Sequence, residues 1–292
     1  MRLPGFELDF AQVPAIIQAF RRMVRGLEFD VSEMALTTYL CARSHDKPFT
    51  ALPIFLVRGF HHGAIVYNTR VGISGPKDLE GRKVGVNRGY TVTTGVWARS
   101  VLQHEHGVDL GRVTWVLSDD EHVEEFQPPA NVVRLEKGQT LETAVARGEL
   151  AAAIGVQVNH PDVAPLIPDA QEWGYRLLGR QGYYPINHLL VVKNTVLAAR
   201  PEIAGCLFEA FTAAKRPYLE RLCAGEIAEP SRADRMYRRV FEITGRDPLP
   251  YGVAPNRLML ETLIGYALEQ HILHRAFAVE ELFAPGTVGL AA

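Results

Sequence analysis

The sequence has few cysteines and no long apolar run, and both absences narrow the class of protein. Its 292 residues include three cysteines, far apart and without a CxxC pair, at Cys41, Cys206 and Cys223. This pattern argues against a disulfide framework and suits a reducing compartment. No apolar run approaches the roughly 20 residues that span a bilayer, and the N-terminus lacks the continuous apolar core of a secretory leader. We therefore expect a cytoplasmic protein.

Several motifs with well-defined chemistry are also missing. There is no GxGxxG, Walker loop, GxSxG elbow or HExxH, so nucleotide binding and serine hydrolysis are poorly supported. No cluster has metal-ligand spacing, so no cofactor is expected, although the residues leave a divalent metal open. A formal charge of -2 gives no reason to expect a nucleic acid or a membrane surface as partner.

Strand-like and helix-like patterns alternate through the first two thirds of the chain, which predicts an α/β fold with a mainly parallel sheet. We expect two lobes, the first made of residues 1–76 and 190–292 and the second of residues 77–189. A ligand cleft is expected where the lobes meet. From Pro201 onward the pattern is helical. This part could pack on lobe one or form a subunit interface, so a homo-oligomer is left open.

Two polar segments have the pattern of anion-binding helix starts. In the first, the apolar run Val84–Val86 leads into a loop with Thr91, Thr93 and Thr94, and a helix-like pattern follows. In the second, Ser32 stands at a predicted N-cap and is followed by Glu33. Free N–H groups at a helix start favour a carboxylate or phosphate. The alternative is that each hydroxyl merely caps its own helix.

Histidines provide the candidate proton donors. Arg58, His61 and His62 lie between two β-like runs, and His188 follows Asn187 at the start of another. Such histidines are more often structural than catalytic, but imidazole titrates near neutrality and needs no cofactor. The acidic loop 118–125 is predicted to be a solvated surface loop. A lid or metal role for its His122 and Glu125 is the less favoured alternative.

A set of short motifs distributed over nearly the whole chain supports a family resemblance. They are Leu27–Met34 (LEFDVSEM), Phe60–His62, Pro76–Gly85 (PKDLEGRKVG), Thr94–Trp97 (TGVW), Pro185–His188 (PINH), Tyr251–Val253, Asn256-Arg257 and Val279–Pro285 (VEELFAP). With these motifs the chain resembles the 4,5-dihydroxyphthalate decarboxylase family, whose fold is that of type II periplasmic binding proteins. His62 matches the family's histidine, whereas His61 replaces an arginine found in many relatives. Relatives have an additional strand before Leu3–Phe10, so we expect lobe one to lack its first strand.

The resemblance implies cofactor-independent loss of CO2 from a hydroxylated aromatic dicarboxylic acid, such as 4,5-dihydroxyphthalate, to give protocatechuate. A small aromatic carboxylate is thus the expected ligand. The implied roles are proton donation by His62 or His188, carboxylate binding by Arg58, Thr93 and Thr94, contacts to phenolic hydroxyls by Ser32 and Glu33, and further substrate contacts by His61 and Asn187. The alternative is a non-catalytic solute-binding protein or ligand sensor. A relationship to thiamine pyrimidine synthases lacks support, because the cysteines form no iron-binding motif.

Overall fold

A computed structural model describes residues 5–292, which form two α/β units. Unit 1 contains the described residues up to Gly59, together with Tyr175–Thr262 and Phe277–Ala292. Unit 2 contains Phe60–Gly174 and Leu263–Ala276. Residues 1–4 of the predicted first lobe lie outside the described residues. Within residues 5–292, no helix combines the length and the apolar character that crossing a membrane requires.

The regular elements follow the predicted alternation of strands and helices. The strands are β1 (Val31–Ala35), β2 (Phe49–Arg58), β3 (Ile65–Asn68), β4 (Lys83–Val86), β5 (Thr114–Leu117), β6 (Val132–Arg134), β7 (Ala152–Ile154), β8 (Val163–Pro165) and β9 (Ile186–Lys193). The α-helices are α1 (Ile16–Gly26), α2 (Leu36–Ser44), α3 (Thr93–Ser100), α4 (Leu141–Ala146), α5 (Ala170–Gln181), α6 (Asn194–Ala199), α7 (Ile203–Ala224), α8 (Arg232–Thr244) and α9 (Arg257–Glu269). Helix α3 continues as a π-helical segment, Val101–Glu105.

Unit 1 is built on an antiparallel sheet with the strand order β1-β9-β2. Apolar side chains of the sheet, including Leu52 and Val192, pack against Leu207 and Phe208 of α7 in one buried cluster. Helix α7 therefore packs on the first unit, which is one of the two arrangements left open above, although Leu263–Ala276 of the C-terminal part belongs to unit 2. The expected parallel sheet is wrong for this unit, because β9 returns to run between β1 and β2 in the opposite direction.

Unit 2 contains a sheet with the order β6-β5-β4-β7-β3-β8. Strands β6, β5, β4 and β7 are parallel, and β3 runs antiparallel to both β7 and β8. Helix α4 covers one face of the sheet, where Leu141 and Val145 join Val116 and Ala153 in a buried cluster. The prediction of a mainly parallel sheet thus holds for this unit.

The unit boundaries differ from the predicted lobes because of strand pairing. Strand β3 hydrogen-bonds to β7 and β8, so residues 60–76 belong to unit 2 and not to lobe one. Strand β9 lies between β1 and β2, so Tyr175 to residue 189 belong to unit 1. Leu263–Ala276 belongs to unit 2, where Gln270 bonds to Arg99 and to Ser100.

The predicted helix start at Ser32 is wrong. Ser32 and Glu33 lie inside β1, where they pair with Val191 and Leu190 of β9, and the next helix begins only at Leu36. The Ser32 hydroxyl donates to the Glu33 carbonyl oxygen (2.8 Å) and caps no helix. The local pattern of a serine followed by an acidic residue was outweighed by pairing with a strand that lies more than 150 residues later in the chain.

Candidate active site

In unit 1 the register of β1 and β9 brings together two of the predicted site residues. Ala35 pairs with His188, and Glu33 lies two residues before Ala35 on the same face of the strand. Diagonal neighbours of this kind are within reach of long side chains. The Glu33 Oε1 atom lies 2.6 Å from Nδ1 of His188. The ring of Phe20, from α1, packs edge-on against the imidazole at a centroid distance of 5.1 Å.

This contact determines which ring nitrogen of His188 carries the proton that is shared with Glu33. An ionised carboxylate only accepts hydrogen bonds, so the Nδ1–H of His188 donates to Glu33. Nε2 is then the ring nitrogen that this contact leaves for proton exchange with a ligand. The pair is partly exposed, with 20% of the His188 side chain and 27% of the Glu33 side chain accessible. Glu33 thus lies in direct contact with His188, and the contact to a phenolic hydroxyl predicted for it stays a prediction.

Ser32 and Asn187 each adjoin a member of this pair on the same strand. Successive side chains of a strand point to opposite faces, so neither shares the face occupied by Glu33 and His188. Ser32 is also buried, and its hydroxyl is already used by the Glu33 carbonyl oxygen. The substrate contacts predicted for Ser32 and Asn187 stay predictions, and Glu33 and His188 lie on the other face.

Arg58, the last residue of β2, lies next to this pair in the strand register. Its neighbour Val57 pairs with His188, and Arg58 itself pairs with Ile186. The guanidinium is buried, donates from Nη1 to Asn256 Oδ1 and from Nη2 to the Tyr184 carbonyl oxygen (2.6 Å each), and lies 4.3 Å from the centre of the Tyr184 ring. Burial lowers the pKa of Arg58 to about 10, so it remains charged at neutral pH.

No carboxylate among the described residues forms an ion pair with Arg58; the Asp247 carboxylate, which is paired with Lys215, acts on the guanidinium only at longer range. The guanidinium contacts an amide oxygen, a backbone carbonyl oxygen and an aromatic face, and its Nε is buried without a hydrogen-bond acceptor among residues 5–292. A buried charge without a counter-charge is costly. An anionic ligand would offset that cost.

The remaining predicted histidines, His61 and His62, belong to unit 2. The 3-10 turn His62–Ala64 follows His61, whose ring stacks on Trp97 at a centroid distance of 6.4 Å. His62 is fully buried, and its Nε2 lies 2.8 Å from Oε1 of Glu105, at the end of the π-helical segment. The indole Nε1–H of Trp173 donates to Oε2 of the same carboxylate at 2.5 Å.

The predicted anion site around Thr91–Thr94 already holds an anion supplied by the chain. The Glu121 carboxylate accepts hydrogen bonds from the backbone N–H groups of Tyr90 and Thr91 and from the Thr91 hydroxyl, the latter at 2.7 Å. Gly89 makes room for it, since a Cβ atom there would lie 2.5 Å from Oε2. Thr93 and Thr94 form the start of α3, whose N-cap is Val92, so neither threonine caps the helix.

The acidic loop is more buried than a solvated surface loop should be. Glu121, His122 and Val123 are buried, which corrects the predicted exposure for this part of the loop. Glu121 also balances the charge of Arg99, a fully buried guanidinium that donates to the Tyr90 carbonyl oxygen at 2.7 Å. Within the described part of the chain, no group of three or more His, Cys, Asp or Glu side chains is arranged to hold a metal ion.

Sequence reasoning assigned no role to several of these partners. Glu105 and Arg99 lay in an ordinary amphipathic helix pattern, which gave no signal. Asn256 lies in one of the family motifs, but the motif gave no indication of its contact with Arg58. The contacts of Glu121 depend on a loop folding back by 30 residues, which no local pattern indicates.

Solved structures define the class of fold. A ligand-binding component of an ABC-type import system from Staphylococcus aureus aligns with a TM-score of 0.52 and 12% identity over 99% of this chain and 89% of that chain. An alkanesulfonate-binding protein from Xanthomonas axonopodis pv. citri, bound to MOPS, aligns with a TM-score of 0.50 and 12% identity over 94% and 86%. The chain therefore has the type II periplasmic-binding-protein fold, as predicted; identity at this level shows the fold alone.

Curated relatives narrow this class to one family. A 4,5-dihydroxyphthalate decarboxylase from Pseudomonas putida is 32% identical over 179 residues, which are 55% of this chain and 69% of that protein. The enzyme of the same name from Comamonas testosteroni is 28% identical over 93% of this chain and 87% of its own length. No protein-family model matches the chain. The chain belongs to the 4,5-dihydroxyphthalate decarboxylase family, which confirms the resemblance.

Proposed function

We propose that the protein decarboxylates a hydroxylated aromatic dicarboxylic acid, with 4,5-dihydroxyphthalate as the substrate and protocatechuate and CO2 as the products. The observation that carries this proposal is the Glu33–His188 pair, next in the strand register to Arg58, a charged residue that no described carboxylate contacts directly, all within unit 1. The names of the curated relatives support the reaction class.

Arg58 would hold the carboxylate that stays on the ring. A ligand carboxylate next to a buried guanidinium makes charge-assisted hydrogen bonds, which are stronger than neutral ones. Because burial already removes most of the water around Arg58, the attraction is screened less than at an exposed arginine. This explains why the substrate of such a site should be a dicarboxylate, with one carboxylate for binding and one for loss.

His188 would protonate the ring carbon that carries the leaving carboxylate. In that step the Nε2–H bond breaks and a C–H bond forms, assisted by electron donation from the hydroxyl para to that carbon. The ring-to-carboxylate C–C bond then breaks, its electron pair restores the aromatic ring, and CO2 departs. The imidazole regains its proton from solvent. Glu33 would hold the imidazole ring of His188 in position and stabilise its protonated form, which is the usual function of a carboxylate that contacts a catalytic histidine.

We further propose that the reaction needs no cofactor, because an electron-rich ring accepts the proton and releases CO2 without an added electron sink. The substrate contacts of His61, Thr93 and Thr94 and the alternative role of His62 as donor stay predictions, as do the cytoplasmic location and the oligomeric state.

The proposal is tested by incubating the purified protein with 4,5-dihydroxyphthalate and following protocatechuate by chromatography, with and without a chelator. Equal product in both samples is the expected result. Activity lost with chelator would contradict the metal-independent mechanism. Absence of product, together with a thermal shift by aromatic dicarboxylates, would overturn the enzymatic proposal in favour of a binding protein.

A further inference from the structure

We propose that Asn256 is a specificity-determining residue that holds the Arg58 guanidinium in place while leaving its charge available to a ligand carboxylate. This inference rests on the proposed function only in naming the ligand as an aromatic dicarboxylate. It assigns a role to a residue that the sequence singled out only as part of a motif.

The contacts of Asn256 show how it positions Arg58. Its Oδ1 accepts from Arg58 Nη1 at 2.6 Å, and its Nδ2 donates to the carbonyl oxygens of Pro250 (2.9 Å) and Gly252 (2.8 Å). The side chain is 1% exposed, so no water competes for these bonds. All of its strong hydrogen-bonding directions point to fixed partners, and the amide therefore has one orientation, with oxygen toward the arginine.

The segment that carries Asn256 is itself held firmly in unit 1. Tyr251 and Ala292 exchange backbone hydrogen bonds at 2.8 and 3.4 Å. The Lys215 ammonium donates to the Leu249 carbonyl oxygen at 2.8 Å and to the Asp247 carboxylate at 2.7 Å. At Gly252 the backbone has φ +97°, and an added Cβ would lie 2.3 Å from the Leu290 carbonyl oxygen. Asn256 is thus attached to a rigid support.

The choice of an amide at this position has an electrostatic consequence. An aspartate is nearly the same size and could accept the same hydrogen bond, but it would form a buried ion pair with Arg58. The guanidinium would then carry its own counter-charge, and a ligand carboxylate would meet a neutral pair in place of a cation. Asparagine orients the arginine without neutralising it, which is what a carboxylate-binding site needs.

The test compares Asn256→Asp with the matched control Asn131→Asp. Asn131, in unit 2, also donates from Nδ2 to two carbonyl oxygens (2.9 and 2.8 Å), but no arginine bonds to it among the described residues. Calorimetry with phthalate, which carries two carboxylates and no hydroxyl, measures binding without turnover. Decarboxylation kinetics on 4,5-dihydroxyphthalate and thermal unfolding are measured on the same preparations.

We expect Asn256→Asp to raise the Kd for phthalate and the KM at least tenfold, with kcat changed less than threefold. Both aspartate variants lose two hydrogen bonds to carbonyl oxygens, so both should have a lower Tm. Asn131→Asp should leave the Kd within twofold. Asn256→Ser, whose shorter side chain withdraws the accepting oxygen from Arg58 without adding charge, should give an intermediate Kd and serves alone if the aspartate variant does not fold. Three outcomes would overturn the inference. They are an unchanged Kd in Asn256→Ser, equal Kd values in the serine and aspartate variants, and no phthalate binding by the unmodified protein.

These measurements separate the two proposals. If the unmodified protein binds phthalate and Asn256→Asp weakens that binding, but 4,5-dihydroxyphthalate is not decarboxylated, then the decarboxylase proposal fails while the role of Asn256 stands. If turnover is observed and neither Kd nor KM responds to Asn256→Asp, the role of Asn256 fails while the decarboxylase proposal stands.

Discussion

Replacing Glu33 by Gln tests whether the carboxylate acts through His188. Glutamine keeps the size and one acceptor oxygen of Glu33, so the 2.6 Å contact to Nδ1 can persist while the charge is lost. A hydrogen bond to a charged group contributes about 1.5–3 kcal/mol and a neutral one about 0.5–1.5 kcal/mol. The difference of about 1–2 kcal/mol corresponds to a fall in kcat of about 5- to 30-fold.

The expected loss is smaller than for removal of the proton donor itself. Replacing His188 by Gln should lower kcat by about 10²–10⁴. Because Glu33 acts only through the imidazole, the double variant Glu33→Gln/His188→Gln should be no slower than the His188 single variant. The KM of Glu33→Gln should stay within about threefold of the value for the unmodified protein, because the substrate carboxylate is bound by Arg58 and not by Glu33.

The assay is the initial rate of protocatechuate formation at saturating 4,5-dihydroxyphthalate, followed by chromatography. Glu28→Gln is the matched control, since that carboxylate pairs with Arg22 at the surface of the same unit and has no contact to His188 among the described residues. A kcat for Glu33→Gln within twofold of the unmodified protein, or a double variant tenfold slower than the His188 variant, would refute the role assigned to Glu33.

Two further predictions concern stability. Burial acts to raise the pKa of Glu105, but hydrogen bonds from His62 and Trp173 outweigh it and the pKa is lowered. The stabilisation that this carboxylate contributes is therefore complete above about pH 4.5 and is lost as the pH falls through the lower pKa of the folded protein. Glu105→Gln should therefore reduce Tm at pH 7, and the difference from the unmodified protein should shrink below pH 4.5; a difference independent of pH would contradict this. Gly252→Ala should reduce the free energy of unfolding by more than about 1–3 kcal/mol, because backbone strain adds to the clash with a carbonyl oxygen. The helical Gly205→Ala, with open space around its Cβ, should be neutral or stabilising in denaturant titrations.

The order of strands and helices could be predicted from the sequence because each element has its own local periodicity. Strand β2 and the apolar run that became β9 were found in this way, as were helices α7 to α9. Pairing between distant strands leaves no local pattern. For that reason the antiparallel sheet of unit 1 and the assignment of β3 to unit 2 were missed. Strands β2, β3 and β9 were themselves recognised, but β1 was not, because Ser32 was expected to begin a helix.

The candidate site shows the same division between local and long-range information. Residue type identified Glu33, Arg58 and His188 as candidates, but only the register of β1 with β9 shows that Glu33 serves His188. Similarly, the threonine-rich segment was predicted to bind a ligand anion through Thr93 and Thr94, and the structure shows an anion held just before the helix, at Tyr90 and Thr91. That the anion is the chain's own Glu121 follows from a loop that returns from a distant part of the sequence.

Among the described residues, His62, His104 and His188 each contact a glutamate, and the surroundings of His62 and His188 bear on which of these two suits the proposed role of proton donor. In unit 2, Glu105 is bonded on both oxygens by His62 and Trp173, and His62 is completely buried at Nε2, the atom that contacts the carboxylate. In unit 1, the Glu33 carboxylate contacts Nδ1 of His188, whose side chain is 20% exposed, so this contact leaves Nε2 unused. A proton donor must reach the reacting carbon. Orientation and access thus favour His188, even though His62 matches the histidine of the family motif.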